Sequence, residues 1–243
     1  MEGDVAVIFL PCAGREEFVL WRDYLLDNEQ RFVADDNHKV LPAAFLQRLL
    51  DALSVKGYRI VGPTVRDGSV VWDTVRSVSD LPIGWRDQQE PGRYRLEQTG
   101  SHEVFGVVHG PQSLKPFVFA PREPLLQIER SKDGFATSPT LPQSEKVAII
   151  GARACDLAGL AMQDQIFLNG AYRDPYYAAR REGLFLVAVN CTRALSTCFC
   201  ASMETGPRAK HGFDLVLTEV DDSLLVEAGS DAGREVLASL PFT

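Results

Sequence analysis

The sequence has no hydrophobic run approaching the roughly 18 residues that a membrane-spanning helix requires. Its first residues, Met1 to Asp4, are acidic where a secretory signal peptide carries basic residues. The formal net charge of −8 also lacks the basic excess of a nucleic-acid-binding surface. We therefore expect a cytoplasmic protein with neither a membrane nor a nucleic acid as its partner.

Several kinds of catalytic site are also missing from the sequence. No combination of serine, histidine and aspartate resembles a nucleophilic catalyst, and the carboxylates form no pair typical of acid–base catalysis. The glycines at 229–233 lack the lysine of a phosphate-binding loop. The four histidines have no metal-binding spacing, although the last of them follows the cysteine-rich segment closely enough to be an outside candidate: His38, His102, His109 and His211.

The chain is long enough, at 243 residues, for one large domain or two small ones. We predict an N-terminal extension over residues 1–39 and an α+β portion with hairpins over 40–140. An α/β portion carrying a cysteine site is predicted over 141–243. The segment Ser131 to Ser144, which is rich in serine, threonine, proline and glycine, is predicted to be the boundary between the two larger portions.

The second half has the pattern of a β-α-β unit. Strands are predicted at Lys146–Ile150 and Leu184–Val189, with helical patterns between them, one of which begins at Asp174-Pro175. This connection makes the two strands parallel, so that their C-terminal ends share one edge of a mixed sheet. The predicted fold class is therefore α/β, with an α+β N-terminal portion.

The remaining elements are predicted from hydrophobic periodicity and turn residues. Residues Ser79 to Arg95 are predicted to be a loop because of their prolines and glycines. The other predictions are a helix at Pro42–Lys56, a hairpin of Tyr58–Val65 with Ser69–Val75, a strand pair of Tyr94–Thr99 with Glu103–Val108, a strand at Leu125–Ile128, a hairpin of Phe213–Val220 with Leu224–Ala228, and a helix at Asp231–Leu240.

Four of the five cysteines follow the two parallel strands. Cys155 comes after the first strand and Cys191 after the second, while Cys198 and Cys200 lie two residues apart in the next loop. Four thiolates suit a [4Fe–4S] or [2Fe–2S] cluster, or a Cys₄ zinc site. Their position and the lack of a Cys-x-x-Cys knuckle favour iron–sulfur. The alternative is that they are buried cysteines at strand ends; Cys12, in another element, is predicted to be a bystander.

Charged residues near these cysteines have two possible roles. Asp156 is predicted to cap the helix that begins beside Cys155. Arg153 either raises the reduction potential of a cluster or forms a surface ion pair. Arg95 and Lys115 either reach the cluster or a partner protein, or brace their own loops.

Several motifs resemble the beta subunit of sulfhydrogenases, the cytoplasmic NAD(P)-linked nickel–iron hydrogenases, and the A subunit of anaerobic sulfite reductase. The resemblance covers about residues 41–240. It is carried by Pro91-Gly-Arg-Tyr-Arg95, Gly110-Pro-Gln-Ser-Leu-Lys115, Gly151-Ala-Arg-Ala-Cys-Asp-Leu157, Asp174-Pro-Tyr-Tyr177 with Arg180-Arg181, Asn190-Cys191, Thr197-Cys-Phe-Cys200 and Thr205-Gly-Pro207.

The resemblance implies a non-catalytic electron-transfer subunit with an iron–sulfur cluster, expected to be [4Fe–4S], on Cys155, Cys191, Cys198 and Cys200. Its implied partners are a flavin- and NAD(P)-binding reductase subunit and a catalytic hydrogenase or sulfite reductase subunit. Family members usually carry a C-terminal ferredoxin module. No Cys-x-x-Cys-x-x-Cys run occurs in this sequence, so a separate ferredoxin is a further expected partner.

Two other functions remain open from the residues alone. The four thiolates would hold zinc in a redox-inert docking module, or one reactive cysteine would serve a stand-alone enzyme.

Overall fold

A computed structural model describes residues 38–42, 45–108, 110–132, 134–140, 145–220 and 223–240. Cys12, the predicted N-terminal extension up to residue 37, and His109 therefore lie outside the described residues. The elements, in chain order, are β1 (His38–Pro42), α1 (Leu46–Val55), β2 (Arg59–Arg66), β3 (Ser69–Thr74), a 3₁₀ turn (Val78–Asp80), β4 (Trp85–Glu90), β5 (Arg93–Gln98), α2 (Lys115–Val118), β6 (Leu126–Ser131), β7 (Gly134–Pro139), β8 (Val147–Ala152), α3 (Ala154–Phe167), α4 (Pro175–Glu182), β9 (Leu184–Val189), β10 (Leu215–Val220), β11 (Ser223–Ala228) and α5 (Asp231–Ser239).

Seven strands form one mixed sheet in the order β1-β11-β10-β9-β8-β2-β3. The four central strands β10, β9, β8 and β2 are mutually parallel, and the strands outside them pair antiparallel. All six residues of β8 are buried, as expected for a central strand covered on both faces. The predicted α/β class and the parallel pairing of β8 with β9 are confirmed.

Helices cover both faces of this sheet. Alternate residues of β8 supply the two sides: Ile150 packs in a core with α1 and α5, and Ile149 packs in a second core with α3 and α4. Alternation follows from the two-residue period of a strand. The result is a three-layer arrangement with the sheet between two layers of helices.

Side chains cap the two helices that connect β8 to β9. Asp156 Oδ2 accepts the Arg153 backbone N–H at 2.8 Å at the start of α3. Asp174 Oδ1 accepts the backbone N–H groups of Tyr176 and Tyr177 at 2.8 and 3.0 Å at the start of α4. These bonds satisfy N–H groups that have no partner inside the helix. The predicted roles of Asp156 and Asp174 are confirmed.

Helix α1 begins later than predicted. Its four buried leucines follow the predicted spacing, and Gly57 has the positive φ of +83° expected just past a helix end. Pro42, however, is the last residue of β1 rather than part of the first helical turn. The prediction for Pro42 was wrong because proline suits a strand end as well as a helix start.

Segment 79–108 differs most from prediction. Its first part contains the β4–β5 hairpin, which joins at Glu90 and Arg93 through the turn at Gly92, so the predicted loop was wrong. The predicted strand at Glu103–Val108 is absent from the described chain. The segment 103–108 is buried but irregular, because side chains take the place of a partner strand: the Glu219 carboxylate accepts the N–H groups of Val104 and Phe105 at 2.6 and 2.9 Å.

The predicted boundary segment also contains regular structure. Strand β7 lies within it and pairs antiparallel with β6, with Arg130 opposite Phe135. The pairing extends the strand that was predicted to end at Ile128. The division into domains stays a prediction. Within the described residues, no helix is both long and apolar enough to span a membrane.

Candidate functional site

Four cysteines lie at the C-terminal edge of the parallel strands. Cys155 is the second residue of α3, which follows β8 directly. Cys191 comes two residues after the end of β9. Cys198 and Cys200 follow in the loop 190–214, called here the cysteine loop, which leads to β10. Since β8 and β9 are neighbours, both cysteine-bearing elements begin at the same edge.

The pKa values of two of these cysteines are shifted in part by other cysteines of the set. Burial raises the pKa of the Cys155 thiol to about 12, and the thiols of Cys191 and Cys200 contribute to this increase. Burial also raises the pKa of Cys191, with contributions from Cys198 and Cys200. Each of the four thiols thus affects, or is affected by, another thiol of the set. In the described part of the chain, no group of three or more His, Cys, Asp or Glu side chains is arranged to hold a metal ion.

Three of these cysteines line a common cavity of about 1060 Å³. Cys191, Cys198 and Cys200 line it together with residues of the β4–β5 hairpin. Cys155 is not part of the lining and is partly buried at the start of α3. The structure therefore places three cysteines at the cavity and the fourth behind them.

Backbone hydrogen bonds hold the segment Thr205-Gly206-Pro207 of the cysteine loop against Cys191 and Cys200. The Thr205 backbone N–H donates to the Cys200 carbonyl at 2.9 Å, and the Cys191 N–H donates to the Pro207 carbonyl at 3.3 Å. A Cβ atom on Gly206 would lie 3.3 Å from Cys200 Sγ and 3.5 Å from Ala154 Cβ. Gly206 thus lets Cys200 pack directly beside the helix that carries Cys155.

Arg153 holds a buried positive charge at this edge. Its side chain, in a residue that is 4% exposed, donates to the carbonyl oxygens of Asn190, Phe105 and Val107. The charge lowers the pKa of Cys191, against the effect of burial, whereas Asp156 raises the pKa of Cys155. The alternative of a surface ion pair for Arg153 was wrong, because carbonyl oxygens satisfy the guanidinium inside the protein.

An ion pair between a buried carboxylate and a half-buried arginine ties the cysteine loop to β4. Asp87, which is 0% exposed, accepts Arg193 Nη2 on its Oδ1 at 2.7 Å and the Val108 N–H at 2.9 Å. Arg193 also donates to the carbonyl oxygens of Asp87 and Gly106 at 3.1 and 2.9 Å. We call this pair the clasp. It fixes the cysteine loop two residues after Cys191.

Two further bonds support the clasp. Ser196 Oγ donates to the Gln89 carbonyl at 2.7 Å, and Thr197 Oγ1 donates to Gln89 Oε1 at 3.2 Å. Within the loop, the Leu195 N–H points to Cys198 Sγ at 3.4 Å. Hydrogen bonds of this kind stabilise a thiolate and orient a ligand. Asp87, Gln89 and Arg193 were not predicted as functional residues, and the position of Arg193 between Cys191 and Cys198 was the only signal of them in the sequence.

The other residues that the sequence suggested as candidates differ in whether they line the cavity. Arg95 lines the cavity with the cysteines. Lys115 does not; its Nζ lies 5.4 Å from the centre of the Phe119 ring, so it braces its own segment. His211 is exposed and is also outside the cavity lining.

No protein-family model matches the sequence, and no solved structure matches it. The chain is 31% identical over 144 residues to Sulfhydrogenase 2 subunit beta of Pyrococcus furiosus. The match covers 58% of this chain and 41% of that protein, so the chain spans less than half the length of this relative. The predicted resemblance to sulfhydrogenase beta subunits is confirmed; the resemblance to the anaerobic sulfite reductase A subunit stays a prediction.

Proposed function

Starting from its relationship to sulfhydrogenase beta subunits, we propose that this chain is an electron-transfer subunit of an oxidoreductase complex. We further propose that Cys155, Cys191, Cys198 and Cys200 bind one [4Fe–4S] cluster. The observation that carries the proposal is the position of the four cysteines after two neighbouring parallel strands, at one sheet edge, with three of them lining one cavity. The proposed partners are a flavin- and NAD(P)-binding subunit and a catalytic hydrogenase or sulfite reductase subunit, in the cytoplasm.

The residues present fit such a cluster. Cysteine thiolates are the usual ligands of iron–sulfur clusters. Because each sulfur binds a different iron, the four ligands surround a volume instead of meeting at one point, and the cavity beside Cys191, Cys198 and Cys200 provides space of that kind. A bound cluster supplies a one-electron redox centre.

The protein's own residues would prepare the ligands and set their environment. The raised pKa values of Cys155 and Cys191 keep both thiols protonated at neutral pH without metal, so cluster binding would release protons. Arg153 would hold a positive charge beside Cys191, which favours the more negatively charged, reduced state. Gly206 and the clasp would keep the cysteine loop against α3 and β4.

Anaerobic isolation tests the proposal. We expect a brown protein with absorption near about 400 nm and with iron and acid-labile sulfide. Replacing Cys155, Cys191, Cys198 or Cys200 singly by serine should sharply lower the bound iron and sulfide. Cys12→Ser is the matched control and should retain both.

Three other results would contradict the proposal. A colourless protein with stoichiometric zinc would indicate the docking module instead. Loss of an activity through alkylation at one cysteine, without any metal, would indicate a reactive-cysteine enzyme. Full cluster content in Cys155→Ser would remove Cys155 from the ligand set.

A further inference from the structure

The β4–β5 hairpin presents arginines to the cavity that the cysteines line. Arg86, Arg93 and Arg95 belong to the hairpin and line the cavity from that side. Residues two apart on a strand share a face, and Arg93 and Glu90 are opposite each other in the register of the hairpin. This basic lining contrasts with the formal net charge of −8 for the whole chain.

Only some of these charges are compensated within the protein. Arg86 pairs with Glu103 at 2.8 Å, and the cavity-lining Arg193 belongs to the clasp. Arg93 and Arg95 are exposed, and neither forms an ion pair with another residue of the described chain. Apart from Asp87 of the clasp, Glu90 is the acidic side chain in the cavity lining, so the two arginines meet one carboxylate there, while Glu97 lies two residues beyond Arg95 and outside the lining.

The cysteine loop adds an exposed aromatic ring to this lining. Phe199, between Cys198 and Cys200, is 71% exposed and lines the same cavity. Phenylalanine and arginine are enriched at protein interfaces relative to the rest of a surface. A small anion would neutralise the arginines but leave this ring in water, whereas a protein surface would cover both.

From this placement we propose that Arg93, Arg95 and Phe199 form a docking surface for an acidic electron-carrier protein that contains an iron–sulfur cluster. The inference rests on the proposed function, because the carrier would exchange electrons with the cluster that the cysteines are proposed to hold. In this exchange one electron would pass from the reduced centre of one protein to the oxidised centre of the other. No bond is formed or broken and no proton is transferred.

Charge complementarity fits such a transient encounter. Opposite charges at the rim of an interface raise the association rate and leave the complex sensitive to salt, as a carrier that must bind and leave requires. Electron-transfer interfaces are at the small end of protein interfaces, so two arginines and one ring are a substantial share of the contacts.

The test compares two double charge reversals in the anaerobically isolated, full-length protein. One is Arg93→Glu with Arg95→Glu. The control is Arg130→Glu with Arg173→Glu, which changes the net charge equally at two exposed arginines outside the cavity lining. The probes are an acidic plant-type [2Fe–2S] ferredoxin and, as a carrier of opposite charge, basic cytochrome c.

We expect the second-order rate of electron exchange with the ferredoxin to fall about tenfold at low salt in the first variant and to lose most of its salt dependence. The control pair should retain the wild-type rate and salt dependence, and the first variant should not slow the reaction with cytochrome c. Phe199→Ala should weaken ferredoxin association at all salt concentrations.

Three outcomes overturn the proposal. In the first, the two double variants react equally with ferredoxin. In the second, Arg93→Glu with Arg95→Glu changes only the reduction potential, which would make the arginines partners of the cluster. In the third, this variant loses binding of inorganic pyrophosphate while its association with ferredoxin is unchanged. Iron and sulfide content is measured on the same samples. If no cluster is present, the proposed function fails, while ferredoxin association measured by calorimetry still tests the surface.

Discussion

The two small hairpins of this protein have the same size but different surroundings. Both β4–β5 and β6–β7 pair six residues with six and lie outside the main sheet. The first contains the fully buried Asp87 and is joined to the cysteine loop. In the second, all residues of β7 are exposed, including Phe135. Isolated two-stranded hairpins are marginal in water, so attachment to the rest of the fold decides their stability.

The comparison shows how a polar hairpin can be more tightly integrated than an apolar one. Strand β4 has the sequence Trp-Arg-Asp-Gln-Gln-Glu, whereas β6 and β7 carry Leu126, Ile128 and Phe135 on one face. Judged by hydrophobicity alone, the β6–β7 hairpin would be expected to attach to the fold more firmly than β4–β5. The hydrogen bonds of the buried Asp87 carboxylate reverse this order, because a buried charge left without its partners is costly.

Among the changes that affect the two hairpins, breaking the clasp should have the largest effect. Asp87→Ala removes the carboxylate that accepts hydrogen bonds from Arg193 Nη2, the Val108 N–H and Gln89 Nε2, and we expect a loss of about 3 kcal/mol in the free energy of unfolding. Urea denaturation measures this loss. Asp73→Ala is the control, because it removes the partner of Arg66 in an exposed pair, for which at most about 1 kcal/mol is expected. Equal losses in the two variants would show that the clasp is not a buried interaction of this kind.

Changing the other side of the clasp should have a smaller effect that is confined to the loop. Arg193→Lys keeps the charge but cannot donate to Asp87 and Gly106 through a planar fork, so we expect a loss of about 1–2 kcal/mol. Alkylation of Cys198 in the metal-free protein should become several times faster. Arg181→Lys, in the half-buried pair with Asp164, provides the control and should leave alkylation of Cys198 unchanged. An unaltered rate in both variants would argue against a role for Arg193 in holding the loop.

The smallest effect is expected in the second hairpin. Phe135→Ala removes a ring that is already 73% exposed, so the free energy of unfolding should change by no more than about 0.5 kcal/mol. Phe185→Ala, at a position that is 1% exposed, should cost about 3–5 kcal/mol by comparison. Thermal or urea unfolding measures both changes. A large loss for Phe135→Ala would mean that this ring is buried in the folded protein in solution.

The sequence was sufficient for elements whose formation depends on local pattern. The structures of the buried run Leu184–Val189 and of the Asp174-Pro175 cap are determined by a few neighbouring residues, and both were predicted correctly. Glu103–Val108 was predicted as a strand from its apolar residues. Its hydrogen-bond partners, including Glu219, come from distant parts of the chain, which local pattern does not reveal.

The same limit applies to the site. The position of the four cysteines after strands β8 and β9 allowed their placement at one edge to be inferred from topology. Asp87 could not be identified, because an aspartate in a polar stretch has no feature that distinguishes a buried ion pair from a solvated surface charge. Arg153 was recognised as relevant, but its burial depends on three carbonyl oxygens that only the folded chain brings together.

The irregular segment 103–108 links the two cysteine-bearing elements although it contains no sulfur. Arg153, two residues before Cys155, donates to the carbonyl oxygens of Phe105 and Val107, and Arg193, two residues after Cys191, donates to that of Gly106. The carbonyl oxygens of three consecutive residues therefore accept hydrogen bonds from an arginine on each side of the site. A one-residue deletion in this segment would displace the carbonyl acceptors of both arginines at once. Cys155 and Cys191 would then be displaced together and not independently.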